Sequence, residues 1–387
     1  MMNYEEFKQQ VVDHIKEHLT EEYANADVRI KQVTKNNDTI QDSLYINNEN
    51  ERVSPAINLN ESFMAYERTG DFNAEMEKIA DIRMNADPHL DIDINSIMNF
   101  EAMKDRIDCR LINLESNSEY LKNKPYKQIE DLAVIYCVDL GKNTDGIMNT
   151  VVTDSLMENW QISADELDRV AMENLSQNEN MLFGSMRDML KNAMYPDVPD
   201  DDPSLDFLLP PETGPQMYVL TSENKLYGAK YLADTERMDN IAEKMGGDFI
   251  VIPSSINECI LMPNDGSIDR KTLEAMIHDV NVHAVLEKEV LSEHAYAYDS
   301  QAHELMRADR YEERQASKQM FNAVDQALTA AVGEEKVAYE AKTEKAEKSE
   351  ASREKISVKA QIADKKNLIA KNTAEKATPS KNIHVEL

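Results

Sequence analysis

Residues 248–265 read DFIVIPSSINECILMPND. Two short apolar runs flank a polar corner, and the reading of that corner decides the fold. FIVI and CILM are the right length for buried strands, and Pro253 with Ser254 suits a turn whose hydroxyls bond nearby backbone, so the stretch predicts an antiparallel hairpin. The competing reading is an active-site turn. A serine nucleophile needs a strained G-x-S-x-G elbow to free its side chain and shape an oxyanion hole, and no glycine flanks these serines. Ser254, Ser255 and Glu258 therefore stand as ligand-contact candidates and not as catalysts. Cys259 lies inside an apolar run with no cation beside it in sequence, the pattern of a small buried hydrophobe.

The same hairpin grammar extends outward. MYVLT (217–221) and KLYGAKYL (225–232) predict a second hairpin through SEN, followed by a helix over DTERMDNIAEKMGG that stops at Gly246 and Gly247. SIDRKTLEAMIHDVNVHAVLEKEVL (267–291) predicts another helix. Toward the N-terminus, DLAVIYCVDL and GIMNTVVTD predict paired strands. They precede helical spacing over 155–175, in which Ser163 and Glu166 form a capping-box signature. A helix is expected over about 95–108. Tyr4, Phe7, Val11, Ile15 and Leu19 mark an opening amphipathic helix. A three-stranded meander follows, broken at KNND and NNEN, and then helical spacing interrupted near Gly70.

Paired strands alternating with helices predict an α+β fold of antiparallel sheets built from hairpins and covered by helices. The expected organisation is an N-terminal lobe (1–90), a middle lobe (91–194), an acidic Pro-rich linker or loop (195–216), a C-terminal lobe (217–300) and a charged helical or disordered tail (301–387). The tail is rich in Lys, Glu and Ala, with few apolar positions to bury.

The 387 residues carry a formal charge of −31. Residues 301–387 hold 16 Lys and Arg against 15 Asp and Glu, so the excess acid lies entirely on residues 1–300. Such a surface repels phosphate backbones and argues against direct nucleic-acid binding. The three cysteines are far apart and odd in number, which fits reduced thiols. With no long apolar run and a charged start, the expectation is a cytoplasmic protein without a membrane span.

Across this frame, the phrases VTKNND, RLINLESN, DLAVIY, MYVLT, GAKYL, IPSSINE, VNVHAV and EVLSEHAYAYD occur in order. Together they resemble the bacterial family known as domain of unknown function 5688, over about residues 3–305. The resemblance implies no activity, cofactor or catalytic residue. Members usually look like PSSIHE at the corner, where this chain has Asn257, and tend to have Val where Cys259 stands.

Other constellations fall short of chemistry. His14 and His18 can share a helix face but lack a third metal ligand. DIDIN (91–95) begins like a calcium loop, yet Ser96 stands where the glycine turn belongs. Ten glycines include neither G-x-G-x-x-G nor a P-loop. No cofactor and no metal is expected. The leading expectation is a non-enzymatic protein-binding or adaptor module. The alternatives are a hydrolase or transferase assembled from dispersed residues such as Ser255, Glu258 and His278, and an acidic inhibitor that mimics nucleic acid.

Overall fold

The structure is a computed structural model and describes residues 1–48, 54–85, 94–143, 146–209 and 215–346. The expected boundary at 90, part of the Pro-rich stretch, the start of DIDIN and the tail beyond 346 lie outside these residues. Met1–Gln315 forms one compact unit, and a second begins at Ala316.

Helix α1 (Tyr4–His14) starts at Asn3, which exchanges reciprocal bonds with Glu6 in a complete capping box. Its Phe7 and Val11, with Ile15 beyond, are wholly buried. They pack over β1 (Asp27–Thr34), β2 (Ile40–Asn47) and β3 (Ile57–Asn58), the expected meander. Helix α2 (Leu59–Thr69) ends on Gly70 at φ +71°, and α3 (Phe72–Asn85) follows. Phe7, Tyr66 and Phe72 form a ring cluster, with centroids 5.6–6.2 Å apart. This is a self-contained apolar core.

The expected helix over 95–108 is broken. It splits into α4 (Ile94–Ile97), α5 (Phe100–Met103) and a 3-10 turn over Lys104–Arg106, and β4 (Ile107–Asn113) begins where helix was expected. The reason is alternation: Ile107, Cys109 and Leu111 are buried, whereas Asp108 and Arg110 face the other way. β5 (Tyr126–Ile129), β6 (Leu132–Asn143) and β7 (Gly146–Val151) complete an antiparallel sheet, β6 lying between β4 and its other partners. Helix α6 (Asp154–Trp160) precedes α7 (Ala164–Gln177), where Ser163 caps Glu166 N–H at 3.2 Å; Leu167, Ala171 and Leu175 of α7 enter the core.

A six-stranded sheet follows. β8 (Met181–Ser185) leads into α8 (Met186–Met194) and the short α9 (Leu205–Leu208). β9 (Tyr218–Ser222) comes next, then α10 (Thr235–Met245), β10 (Phe249–Ile252), β11 (Cys259–Pro263), α11 (Arg270–His283), β12 (Tyr296–Asp299) and β13 (Glu304–Arg307). Helix α12 (Ala308–Ala346) closes the described chain. The strand order is β13-β12-β10-β11-β9-β8, every pair antiparallel.

The opening hairpin forms in register, with Val251 opposite Leu261. Phe249 and Val251 point into the main core with α10, whereas Ile250 and Ile252 pack with Leu273 and Ile277 of α11. Both sides of this sheet are thus covered. That explains apolar runs in place of an apolar–polar alternation.

The second expected hairpin is not made. MYVLT is β9, but KLYGAKYL forms a 3-10 turn over Gly228–Ala233 that packs across β9 and β4. Tyr227, in a left-handed conformation at φ +54°, turns the chain out of strand geometry. The sheet instead recruits β8 as the partner of β9.

Candidate functional site

The 253–258 corner closes locally. Ser255 N–H donates to Glu258 O at 3.0 Å, and Ser255 Oγ accepts from Asn257 N–H at 3.1 Å. Ser254 Oγ reaches the Glu258 carboxylate at 3.5 Å on the exposed side. Neither hydroxyl meets an imidazole among the described residues. His278 Nδ1 pairs instead with Glu293 at 2.9 Å, and no side-chain hydrogen bond joins it to Ser255 or Glu258 among the described residues. Cys259 is fully buried, and burial pushes its thiol well above the ordinary range.

The residue of the corner that reaches furthest is Asn257, which was not among the candidates. Its carbonyl accepts from Gly228 N–H at 3.0 Å and from Thr221 Oγ at 2.9 Å, while its Oδ1 accepts from Tyr227 N–H at 3.1 Å. Three bonds therefore fix the left-handed Tyr227 and seat Gly228 so close that a Cβ there would lie 2.5 Å from Thr221 Cα and 2.6 Å from Asn257 O.

Held in this way, Tyr227 offers its ring to the Arg110 guanidinium, whose central carbon lies 3.9 Å from the ring centroid. Arg110 also donates through Nη2 to Asn149 Oδ1 of β7, while its Nε is buried with no hydrogen-bond partner. Lys230, from the same 3-10 turn, donates to both oxygens of Asp108 at 2.6 and 2.7 Å. Cys137 lies opposite Asp108 on β6. Burial raises its thiol to about 11, against the opposing pull of Arg110.

Lys35 approaches from the end of β1. Its ammonium makes no hydrogen bond or ion pair with a described residue. Burial first, then the like charges of Arg110 and Lys288, lower its pKa. Burial raises the Tyr120 hydroxyl, with Arg110 pulling the other way. The turn Asn36–Asp38 anchors Lys35. Asn36 and Asn37 donate to the carbonyls of Glu287, Lys288 and Val290, all at 2.7 Å, and Asp38 accepts from the N–H groups of Glu119 and Tyr120.

A separate open cleft of about 350 Å³ lies beside the β5–β6 turn and the start of α12. Most of its charges are spent internally. Arg310 forks onto Glu130 with both bonds at 2.7 Å, Arg307 pairs with Asp309 at 2.8 Å, and Asp131 accepts from Tyr296 at 2.7 Å and Ser292 at 3.2 Å. No group of three His, Cys, Asp or Glu residues able to hold a metal occurs among the described residues. No described helix is long and apolar enough to cross a membrane.

The fold defines an α+β protein of antiparallel sheets covered by helices. The chain belongs to a family of unknown function (DUF5688), whose model matches residues 4–300. No curated protein and no solved structure matches it.

Proposed function

We propose that the protein is a non-enzymatic binding module of adaptor type, acting on a protein partner in the bacterial cytoplasm. The observation that carries this reading is the internal engagement of the Ser255 hydroxyl, Asp131 and the three thiols. The hydroxyls of Ser254 and Ser255 serve the corner, Asp131 is held by Tyr296 and Ser292, and the three thiols are buried. A nucleophile so engaged must break its own fold contacts to react. A protein partner is favoured by apolar side chains left open along α11 and just beyond it. Met276, Val280, Val282 and Leu286 are 41–61% exposed, although Leu273 and Ile277 of the same helix are buried.

The test pairs capture with turnover. Wild-type protein should retain a partner from bacterial lysate that Val280→Glu fails to retain, and should leave ester, phosphoester and glycoside panels untouched. Turnover abolished by Ser255→Ala would establish an enzyme instead.

A further inference from the structure

The N-terminal sheet has an open edge. Its order is β1-β2-β3, so β1 pairs on one side only, with β2, and at eight residues it is the longest of the described edge strands. Alternate residues of an antiparallel pair turn their N–H and C=O groups away from the partner strand. In β1 those outward groups have no hydrogen-bond partner among the described residues. The next longest edge, β4 at seven residues, is different: the Gly228–Ala233 turn packs against it, and Asn174 donates to Ile107 O at 2.8 Å.

The two faces of the β1 edge differ in chemistry. Val28 and Ile30 pack on the N-terminal core but are only half-buried. On the opposite face, Arg29 and Lys31 are exposed. Arg29 makes one long contact, 3.6 Å, with exposed Asp27. Lys31 lies 5.8 Å from the centroid of the Tyr45 ring and has no carboxylate partner among the described residues. Two cations with charge to offer thus sit side by side on a chain of net charge −31.

A strand laid along β1 extends both faces at once. Its side chains alternate, so apolar residues fall beside Val28 and Ile30 and acidic residues beside Arg29 and Lys31. Basic residues on an edge ordinarily keep strands of the same kind apart. They do so here too, because a second β1 overlapping most of this one would bring Arg29 and Lys31 against their duplicates. The same charges attract an acidic strand. We propose that the β1 edge is a docking site for an extended, acidic segment of a partner protein, which adds a strand to the N-terminal sheet. Backbone bonds supply the affinity, and Arg29 and Lys31 select the charge. This inference goes beyond the α11 surface and does not rest on it.

The probe is a fluorescein-labelled peptide of alternating Val and Glu, as long as β1 and capped at both ends, titrated with the full chain and followed by anisotropy. It should bind, more weakly as salt rises. Reversing both charges, Arg29→Glu with Lys31→Glu, should weaken binding by about tenfold. Both side chains are exposed, so the double variant should melt with the wild type. A Val-Lys peptide, and a Val-Glu peptide N-methylated at every residue, should not bind. Val280→Glu should leave the affinity unchanged, which separates this edge from the α11 surface. The proposal is overturned if the Val-Glu peptide fails to bind at up to about 1 mM, if the double variant binds it as well as wild type does, or if the N-methylated peptide binds equally.

Discussion

Asn257 and Gly228 act together through backbone. Replacing Gly228 by Ala drives a methyl into Thr221 Cα and Asn257 O, backbone atoms that cannot swing aside. A loss of about 2–3 kcal/mol is expected, read as a lower urea midpoint. The thiols supply a second residue-scale prediction. Cys109, Cys137 and Cys259 are all buried, and burial raises each pKa. A thiol reagent at pH 8 should modify none of them in the native protein and all three in urea. One fast-reacting native cysteine would contradict the packing. At this scale the sequence was legible only in part. The Ser255 hydroxyl does meet nearby backbone, a local contact of the kind Pro-Ser chemistry suggests. The role of Asn257 depends on Tyr227 and Thr221, which lie 30 and 36 residues away, and no spacing rule links them. The pairing of Arg110 with Tyr227 was hidden for the same reason.

Among the elements, those with a full period and a cap were readable. Helix α1, the break at Gly70, Ser163 at the start of α7 and the β10–β11 hairpin each follow from local pattern. Ser163→Ala should cost about 1 kcal/mol. Phe7→Ala, at the centre of the ring cluster, should cost about 3–5 kcal/mol. Both are measured by denaturant unfolding, and a negligible change at Phe7 would argue against the N-terminal core as described. The elements that escaped were those whose state is set from outside. The helix expected over about 95–108 ran into the start of β4, which was not expected as a strand, yet β4 pairs with β6 along its whole length. KLYGAKYL has strand composition, but Tyr231 is fully buried in the shared core and Lys230 is claimed by Asp108. Tertiary contacts overrode propensity there. β12 and β13 were missed because four residues carry too little pattern to stand out.

For the molecule as a whole, the Asn36–Asp38 turn ties the N-terminal meander to residues 117–120 after β4 and to residues 287–290 before β12. Asn37 and Asp38 adopt φ of +57° and +52°, a strained geometry that Asn and Asp tolerate best among side-chain-bearing residues. Burial pushes the Asp38 carboxyl up, but the N–H groups of Glu119 and Tyr120 and the Ser118 hydroxyl outweigh it, and the pKa falls below the usual range. A depressed carboxyl contributes its stability in full above the unfolded value of about 3.9 and loses it as pH falls through the folded value. Asp38→Asn should therefore be less stable than wild type at pH 7, by about 1–2 kcal/mol. The difference should shrink under acid. An equal gap at pH 7 and pH 2 would show that the charge contributes nothing.

That turn also has a consequence in time. Asn36 finds its carbonyl partner at Lys288, 252 residues later, and a ribosome adding about 5–20 residues per second needs on the order of 10–50 s to deliver it. The nascent meander can gather its aromatic cluster early, yet its loop hangs undocked until almost the whole family domain has emerged. Stalled or shortened translation products ending before Lys288 would carry that raw edge into the cell, an inviting surface for chaperones and proteases.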